Sequence, residues 1–137
     1  MNDKKIPLDV ETQQANLLKL VSHPVRIAIL KILSHEEACV CHMEATLGYR
    51  QAYLSQQLAI LRQAEIITDR RDGWNIYYQI NKQSILEIIN LTGELIGSTK
   101  NQIPIKPVNC PCPRCNINLE KEACCDETRK ESEHVNN

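Results

Sequence analysis

The sequence predicts one mainly α-helical domain that carries a single β-hairpin, followed by an extended tail rich in cysteine and proline. Apolar residues recur at helical spacing through most of residues 10–96, and two β-rich segments flank Asp72-Gly73. The periodic pattern stops near Ser98, and four of the six prolines lie beyond it. These observations indicate an α+β fold, with the domain in residues 1–100 and a flexible tail in residues 101–137.

Three of the predicted helices build the body of the domain. The first spans residues 10–21, and the second, residues 24–33, is apolar nearly all round, as a buried helix requires. Pro24 suits the first turn of that second helix, and His23 is interpreted as a residue at a helix start, not as a metal ligand. The last helix, residues 82–96, has a broader apolar face than one small core needs, so we expect it to lie in a dimer interface.

Two further helices are predicted to form a helix-turn-helix. A short segment from Cys41 to Leu47 ends at Gly48, a natural helix C-terminal residue, and residues 51–63 follow as a second helix. Leucines at helical spacing give this second helix an inward stripe and turn small and polar side chains outward, which suits the major groove of DNA. The residues predicted to contact DNA here are Arg50, Gln51, Tyr53, Ser55, Gln56, Gln57 and Arg62.

The two β-rich segments, residues 66–71 and 74–80, are joined by Asp72-Gly73, a strong short-range hairpin signal. Residues 47–82 carry five Arg and Lys against three Asp and Glu, although the net charge of the whole chain is −1. A basic hairpin beside a helix-turn-helix predicts a winged helix that binds double-stranded DNA, mainly through phosphates at the hairpin. The predicted hairpin contacts are Arg70, Arg71 and Trp74.

Composition and cysteine content exclude several classes of protein. With 137 residues, of which 42% are apolar, the chain can bury one modest core. No apolar run approaches the roughly 20 residues of a membrane helix, and no signal sequence follows Met1, so we expect a cytoplasmic protein without a membrane partner. Seven cysteines without secretory features are typical of reduced thiols that bind metal or change redox state.

The segment Cys39-Val40-Cys41-His42, the cysteine box, directly precedes the helix-turn-helix and is the candidate metal site. The alternative is that both cysteines are small buried hydrophobes. Residues two apart on an ideal helix point roughly 200° apart, so the thiols cannot chelate one ion from a regular helix. They can if the helix begins near Cys41 or if the ion distorts its first turn, and the ion would then pull on the helix that precedes the DNA-reading helix.

Several segments together resemble the ArsR/SmtB family of metal-sensing winged-helix repressors, over about residues 13–97. The resemblance implies a homodimer, joined by the first and last helices, that represses its operon until a metal or metalloid dissociates it from operator DNA. It also implies that Cys39 and Cys41 bind the inducer, while His42 stands where the family usually has an acidic residue. The segments are Ser22-His23-Pro24-Val25-Arg26, Cys39-Val40-Cys41, Tyr53-Leu54-Ser55-Gln56-Gln57-Leu58 and the hairpin glycine Gly73.

Two thiolates do not complete a metal site, because arsenic(III) takes three and zinc or cadmium prefers four ligands. Arsenite or antimonite is the first choice of inducer because thiols dominate, and cadmium, lead or zinc is the alternative because a histidine is available. No organic cofactor is expected. The further candidate ligands are His42 and the tail thiols Cys110, Cys112, Cys115, Cys124 and Cys125.

The tail has three interpretations. At about 3.1 Å per residue, the ten residues from Lys100 to Cys110 reach roughly 30 Å, enough to close a site between subunits. The tail can instead bind a separate ion, or act as a disordered segment that captures metal.

Other functions remain as alternatives. Thiol oxidation or persulfidation can replace metal as the signal. A small thiol oxidoreductase using Cys112-x-x-Cys115 is a remote alternative, and no enzymatic activity is expected because that motif lies in a proline-rich tail without a βαβ context. A winged helix used only for protein interaction is also possible.

Overall fold

The computed structural model describes residues 4–98 and residue 103, so the predicted domain boundary and the tail cysteines lie outside the described residues. The predicted helices and both hairpin strands are confirmed with ends within two residues, whereas the short strand β1 was not predicted. In this part of the chain the elements are α1 (Asp9–Val21), α2 (Pro24–Leu33), β1 (Ala38–Cys39), α3 (Val40–Leu47), α4 (Gln51–Gln63), β2 (Ile67–Asp72), β3 (Asn75–Ile80) and α5 (Ser84–Leu95).

Helix α2 lies at the centre of the core. His23 caps its N-terminus by accepting a hydrogen bond from the backbone N–H of Val25 (3.2 Å), and Pro24 begins the helix, so the predicted position of His23 at a helix start is confirmed. The same core contains the leucine stripe of α4, which therefore faces inward as predicted. The core residues with no exposed surface are Ile29, Leu30, Met43, Leu54, Leu58, Leu61 and Ile66.

Two glycines make the turns that position the functional surface. Gly48 ends α3 with a φ of +80°, a left-handed conformation that favours glycine, and α4 begins three residues later. In the hairpin Asp72 pairs with Asn75, so Gly73 and Trp74 are the two turn residues. The turn thus lies one residue later than predicted, with Gly73 at a φ of +62°.

Strand β3 is the middle strand of an antiparallel sheet in the order β1-β3-β2. The hairpin pairs β2 with one edge of β3. On the other edge, β1 places Ala38 opposite Tyr78 and Cys39 opposite Tyr77. The sheet therefore joins the cysteine box directly to the hairpin, although the two are far apart in the chain.

Helices α1 and α5 have the fewest buried residues of the described helices. Val21 is the one buried residue of α1, and Ile85 and Ile89 are those of α5. None of the described helices combines the length and apolar character needed to span a bilayer. Large apolar side chains exposed on or next to α1 and α5 are Leu8, Val10, Leu17, Leu18, Leu91, Leu95 and Ile96.

Candidate functional site

Cys39 and Cys41 lie at the junction of a strand and a helix. Cys39 ends β1 and precedes α3 with an extended backbone (φ −88°, ψ 167°), whereas Cys41 lies in the first turn of α3. Because the helix begins at Val40, Cys39 is outside the regular helix, and the opposed directions of two helical side chains do not apply to this pair. Both cysteines are buried, with 1% and 3% of their surface exposed.

Different elements hold the two cysteines. The backbone of Cys39 is fixed by the pairing of β1 with β3, opposite Tyr77. The sulfur of Cys41 accepts a hydrogen bond from the side-chain amide of Gln51, with 3.1 Å between Nε2 and Sγ. Gln51 is the first residue of α4, so this bond crosses the turn of the helix-turn-helix. The cysteine box therefore contacts the hairpin sheet on one side and helix α4 on the other.

The donor atoms of the cysteine box fit a soft metal or metalloid, because such ions prefer thiolate sulfur. His42, which follows Cys41 in α3, is also buried. Within residues 4–98 and 103, no three His, Cys, Asp or Glu side chains are grouped closely enough to hold one ion. The other predicted ligands, Cys110, Cys112, Cys115, Cys124 and Cys125, lie outside the described residues.

Three glutamines of α4 that were predicted to contact DNA have different environments. Gln56 is exposed, while Gln51 is partly buried with its amide N–H on the sulfur of Cys41. Gln57 is 7% exposed, and its Oε1 accepts a hydrogen bond from Nε of Arg26 (2.8 Å). The structure corrects the prediction for Gln57, because this side chain lies on the inward face of α4 and is bonded to α2.

The other predicted contacts on and before α4 are accessible. Arg50 is exposed, and Tyr53 and Ser55 are partly exposed. Arg62, near the end of α4, is exposed and forms an ion pair with Asp69 of β2 (3.1 Å). An exposed pair of this kind stabilises a protein little, so it leaves Arg62 able to exchange its partner for a phosphate.

The two hairpin arginines are held differently. Arg70 donates from Nε and a terminal nitrogen to the two carboxylate oxygens of Glu37, with 2.7 Å for the Nε bond. Its guanidinium also lies 4.9 Å from the ring centre of Tyr77 and 3.7 Å from a carboxylate oxygen of Asp72. The hydrogen bonds to Glu37 raise the pKa of Arg70 above its usual value, so this group stays charged. Arg71 is exposed and takes part in none of the ion pairs found among the described residues.

Trp74 lies at the tip of the hairpin with 72% of its surface exposed. An indole so exposed contributes little to the core, and it follows Gly73 in the turn between β2 and β3. The tip therefore offers one aromatic ring and one cation to a partner.

Sequence reasoning missed two residues that shape this surface. Glu37 lies directly before β1 and binds Arg70, and Arg26 of α2 binds both Gln57 and the carbonyl oxygen of Leu20 (2.8 Å). The side-chain pairs join residues 33 and 31 positions apart, and no local spacing signals contacts of that range. The position of Glu37 next to the cysteine box was the one available signal.

Comparison with known proteins assigns the chain to a family. Residues 23–69, from the cap of α2 into β2, match the description "Bacterial regulatory protein, arsR family". The Biofilm growth-associated repressor of Xylella fastidiosa is 38% identical over 76 residues, which cover 56% of this chain and 67% of that repressor. The chain belongs to the arsR family. This is a family of DNA-binding transcriptional regulators, not of enzymes.

Solved structures of similar proteins share this fold over about two thirds or more of the chain. NolR from Sinorhizobium fredii superposes with a TM-score of 0.63 at 30% identity, covering 72% of this chain and all (100%) of that chain. The AntR antimony-specific transcriptional repressor gives a TM-score of 0.59 at 26% identity, covering 71% of this chain and 89% of that one. The predicted family and winged helix-turn-helix are thus confirmed. We refer to α4 as the recognition helix and to the β2–β3 hairpin as the wing.

Proposed function

We propose that this chain acts as a homodimer that binds operator DNA and is released when arsenite or antimonite binds Cys39 and Cys41. The position of these two buried thiols carries the proposal. Cys39 ends a strand paired with the wing, and Cys41 is bonded to the first residue of the recognition helix. An ion held by both sulfurs would act on both DNA-facing elements, which is the physical requirement for coupling between two sites.

A metalloid is the preferred inducer because sulfur dominates the available ligands. Each As–S bond would replace an As–O bond of arsenite, and one water would leave, formed from the hydroxyl group and the thiol proton. The similarity to a repressor described as antimony-specific supports this choice. Cadmium, lead or zinc is the second candidate, favoured by the buried His42 next to Cys41, which offers a nitrogen ligand.

The remaining ligands are proposed to come from the tail of the partner subunit. The sequence offers five thiols there, and ten extended residues reach roughly 30 Å. Truncation after Thr99 should then lower inducer affinity or change its stoichiometry. Unchanged affinity and stoichiometry would assign the tail to a separate ion or to metal capture. The proposed tail ligands are drawn from Cys110, Cys112, Cys115, Cys124 and Cys125.

The dimer is proposed to form through α1 and α5. Both helices carry large exposed apolar side chains, among them Leu18 at 52% and Leu91 at 57% exposure. Faces of this kind are typical of surfaces covered in an assembly. Leu91→Glu should therefore give a monomer in analytical ultracentrifugation, and a persistent dimer would place the interface elsewhere.

DNA contacts are proposed on both the recognition helix and the wing. The exposed amide of Gln56 can bond bidentately to adenine, and the arginines can neutralise phosphates. Two such surfaces in a symmetric dimer fit an operator with two-fold symmetry. The proposed contacts are Arg50, Tyr53, Ser55, Gln56, Arg62, Arg71 and Trp74, with Arg70 available after exchange of Glu37 for phosphate.

A competition experiment tests the inducer. Reduced protein bound to its own upstream DNA is challenged with arsenite, antimonite, cadmium, lead and zinc, and release is followed by fluorescence anisotropy. We expect release by arsenite or antimonite at the lowest concentration, and loss of release in Cys39→Ser/Cys41→Ser with DNA binding retained. That variant keeps all tail thiols, so it distinguishes the contribution of the cysteine box to release from that of the tail.

The outcomes distinguish the candidates. Release by cadmium, lead or zinc alone would favour the second inducer class. Release by no ion, with DNA binding intact, would refute an ion inducer. Treatment with an oxidant or a polysulfide, followed by non-reducing mass measurement, would then test a thiol switch.

A further inference from the structure

The bond between Gln51 and Cys41 links the cysteine box to the recognition helix. Nε2 of Gln51 lies 3.1 Å from Sγ of Cys41, and the two residues lie on opposite sides of the turn between α3 and α4. We propose that Gln51 is a positioning residue that transmits inducer binding at Cys41 to the recognition helix and does not read bases. This inference rests on the proposed inducer site.

The direction of the hydrogen bond suits transmission. The amide of Gln51 donates and the sulfur of Cys41 accepts, and a thiolate bound to an ion still has lone pairs for such a donor. Hydrogen bonds to a charged acceptor are also stronger than those to a neutral one. The bond therefore survives inducer binding, and a displacement of Sγ toward the ion moves Gln51 with it.

The recognition helix is held unevenly along its length, which lets its first turn respond. Arg50, at the N-cap position, has an extended backbone, and its side chain makes no capping hydrogen bond in the described structure. The rest of the helix is fixed in the core by Leu54, Leu58 and Leu61, which are fully buried. A displacement of Gln51 caused by movement of the Cys41 sulfur would thus shift the first turn relative to the remainder of the helix.

A second glutamine of the same helix provides a matched control. Gln56 is exposed and has the same amide chemistry, but it lies five residues further along the helix, about 140° round its axis from Gln51. Methionine has a similar length and helix propensity and lacks the amide donor, so Gln51→Met and Gln56→Met remove the same group from the two faces. Gln51→Asn keeps the amide but shortens the side chain by one methylene, and it serves if Gln51→Met does not fold.

The first readout is the ratio of DNA dissociation constants with and without saturating inducer, measured on the full-length protein. Gln51→Met should reduce the inducer-dependent ratio by roughly tenfold relative to wild type, within the usual range of coupling between sites. Gln56→Met should weaken DNA binding equally with and without inducer. Absorbance of the sulfur–ion charge transfer should show that both variants still bind the ion.

A second readout does not depend on DNA. The side-chain amide resonance of Gln51 in the free protein should move when arsenite is added, and Cys41→Ser should abolish that movement. A resonance that stays in place, or a Gln51→Met variant with the full wild-type ratio, would overturn the inference. So would a loss of DNA affinity in Gln51→Met with an unchanged ratio, because that is the behaviour of a base contact. Failure of every ion to release the wild-type protein would instead overturn the inducer site itself.

Discussion

The wing and the recognition helix are both attached to the cysteine box, but by different kinds of interaction. The wing is attached by the backbone pairing of Cys39 in β1 with β3, and Glu37, just before β1, adds two hydrogen bonds to Arg70. The recognition helix is attached through side chains, among them Gln51, whose amide donates to the sulfur of Cys41. Backbone pairing therefore holds the wing, whereas a side-chain contact couples the recognition helix.

The two kinds of attachment therefore have different roles: one stabilises the wing, and the other couples the recognition helix to the cysteine box. The recognition helix gains its stability from the core, so its bond to the cysteine box is free to serve as a coupling. The wing has few core residues, since Ile67 of β2 and Tyr77 of β3 are the buried ones, and the pairing with β1 helps to hold it in place. The following four predictions test whether stability and coupling are divided in this way.

The largest expected effect is the loss of protein stability caused by a substitution in the recognition helix. Leu58→Ala removes a fully buried side chain and should lower the free energy of unfolding by about 2–5 kcal/mol, because a cavity remains in the core. Ile76→Ala on the half-buried wing strand should cost about 1 kcal/mol. Denaturant unfolding followed by circular dichroism measures both. Equal costs would show that the wing shares the core of the recognition helix.

Replacing the turn glycines should have a smaller effect. Gly48 and Gly73 both have positive φ, and a Cβ at either position meets no atom within 4 Å, so strain in the backbone is the cost of alanine. We expect each alanine variant to lose about 1–2 kcal/mol of stability. The change at Gly48 should also weaken inducer coupling, because it lies between Cys41 and Gln51. Asparagine tolerates this conformation better and should recover part of both losses.

Arg71→Ala should weaken DNA binding without changing stability. This arginine is exposed and outside the ion pairs of the described residues, so its removal takes one cation from the phosphates. Affinity should fall similarly for operator and random DNA, and the slope of log K against log salt should become shallower by about one. A loss confined to operator DNA would instead make Arg71 a base contact.

The smallest expected effect is that of Glu37→Gln. The change removes the carboxylate that holds Arg70, so Arg70 gains freedom to approach a phosphate. The salt dependence should become steeper by less than about one unit. Backbone amides of β2 and β3 should exchange faster with solvent, since the wing loses one of its attachments. Unchanged exchange would mean that the β1–β3 pairing alone holds the wing.

Local patterns were sufficient for the helices and the hairpin. The apolar stripe of Leu54, Leu58 and Leu61 predicted a helix and its inward face, and Gly48 predicted where α3 ends. Each of these signals lies within a few residues of the structure it predicts. The prediction failed for Gln57, which pattern alone could not separate from its exposed neighbour Gln56. Its burial depends on Arg26 of α2, which is distant in sequence.

The sequence by itself determined the helix-turn-helix, the wing and the two thiols placed before them, because periodicity, turn residues and cysteine spacing act over short distances. Only the tertiary structure decided which element each thiol contacts. Cys39 is paired with β3 through a strand of two residues, too short to show a pattern, and Cys41 is bonded to Gln51 only because the turn at Gly48 folds α4 back onto α3. Contacts of this kind depend on how elements pack, which no local spacing encodes.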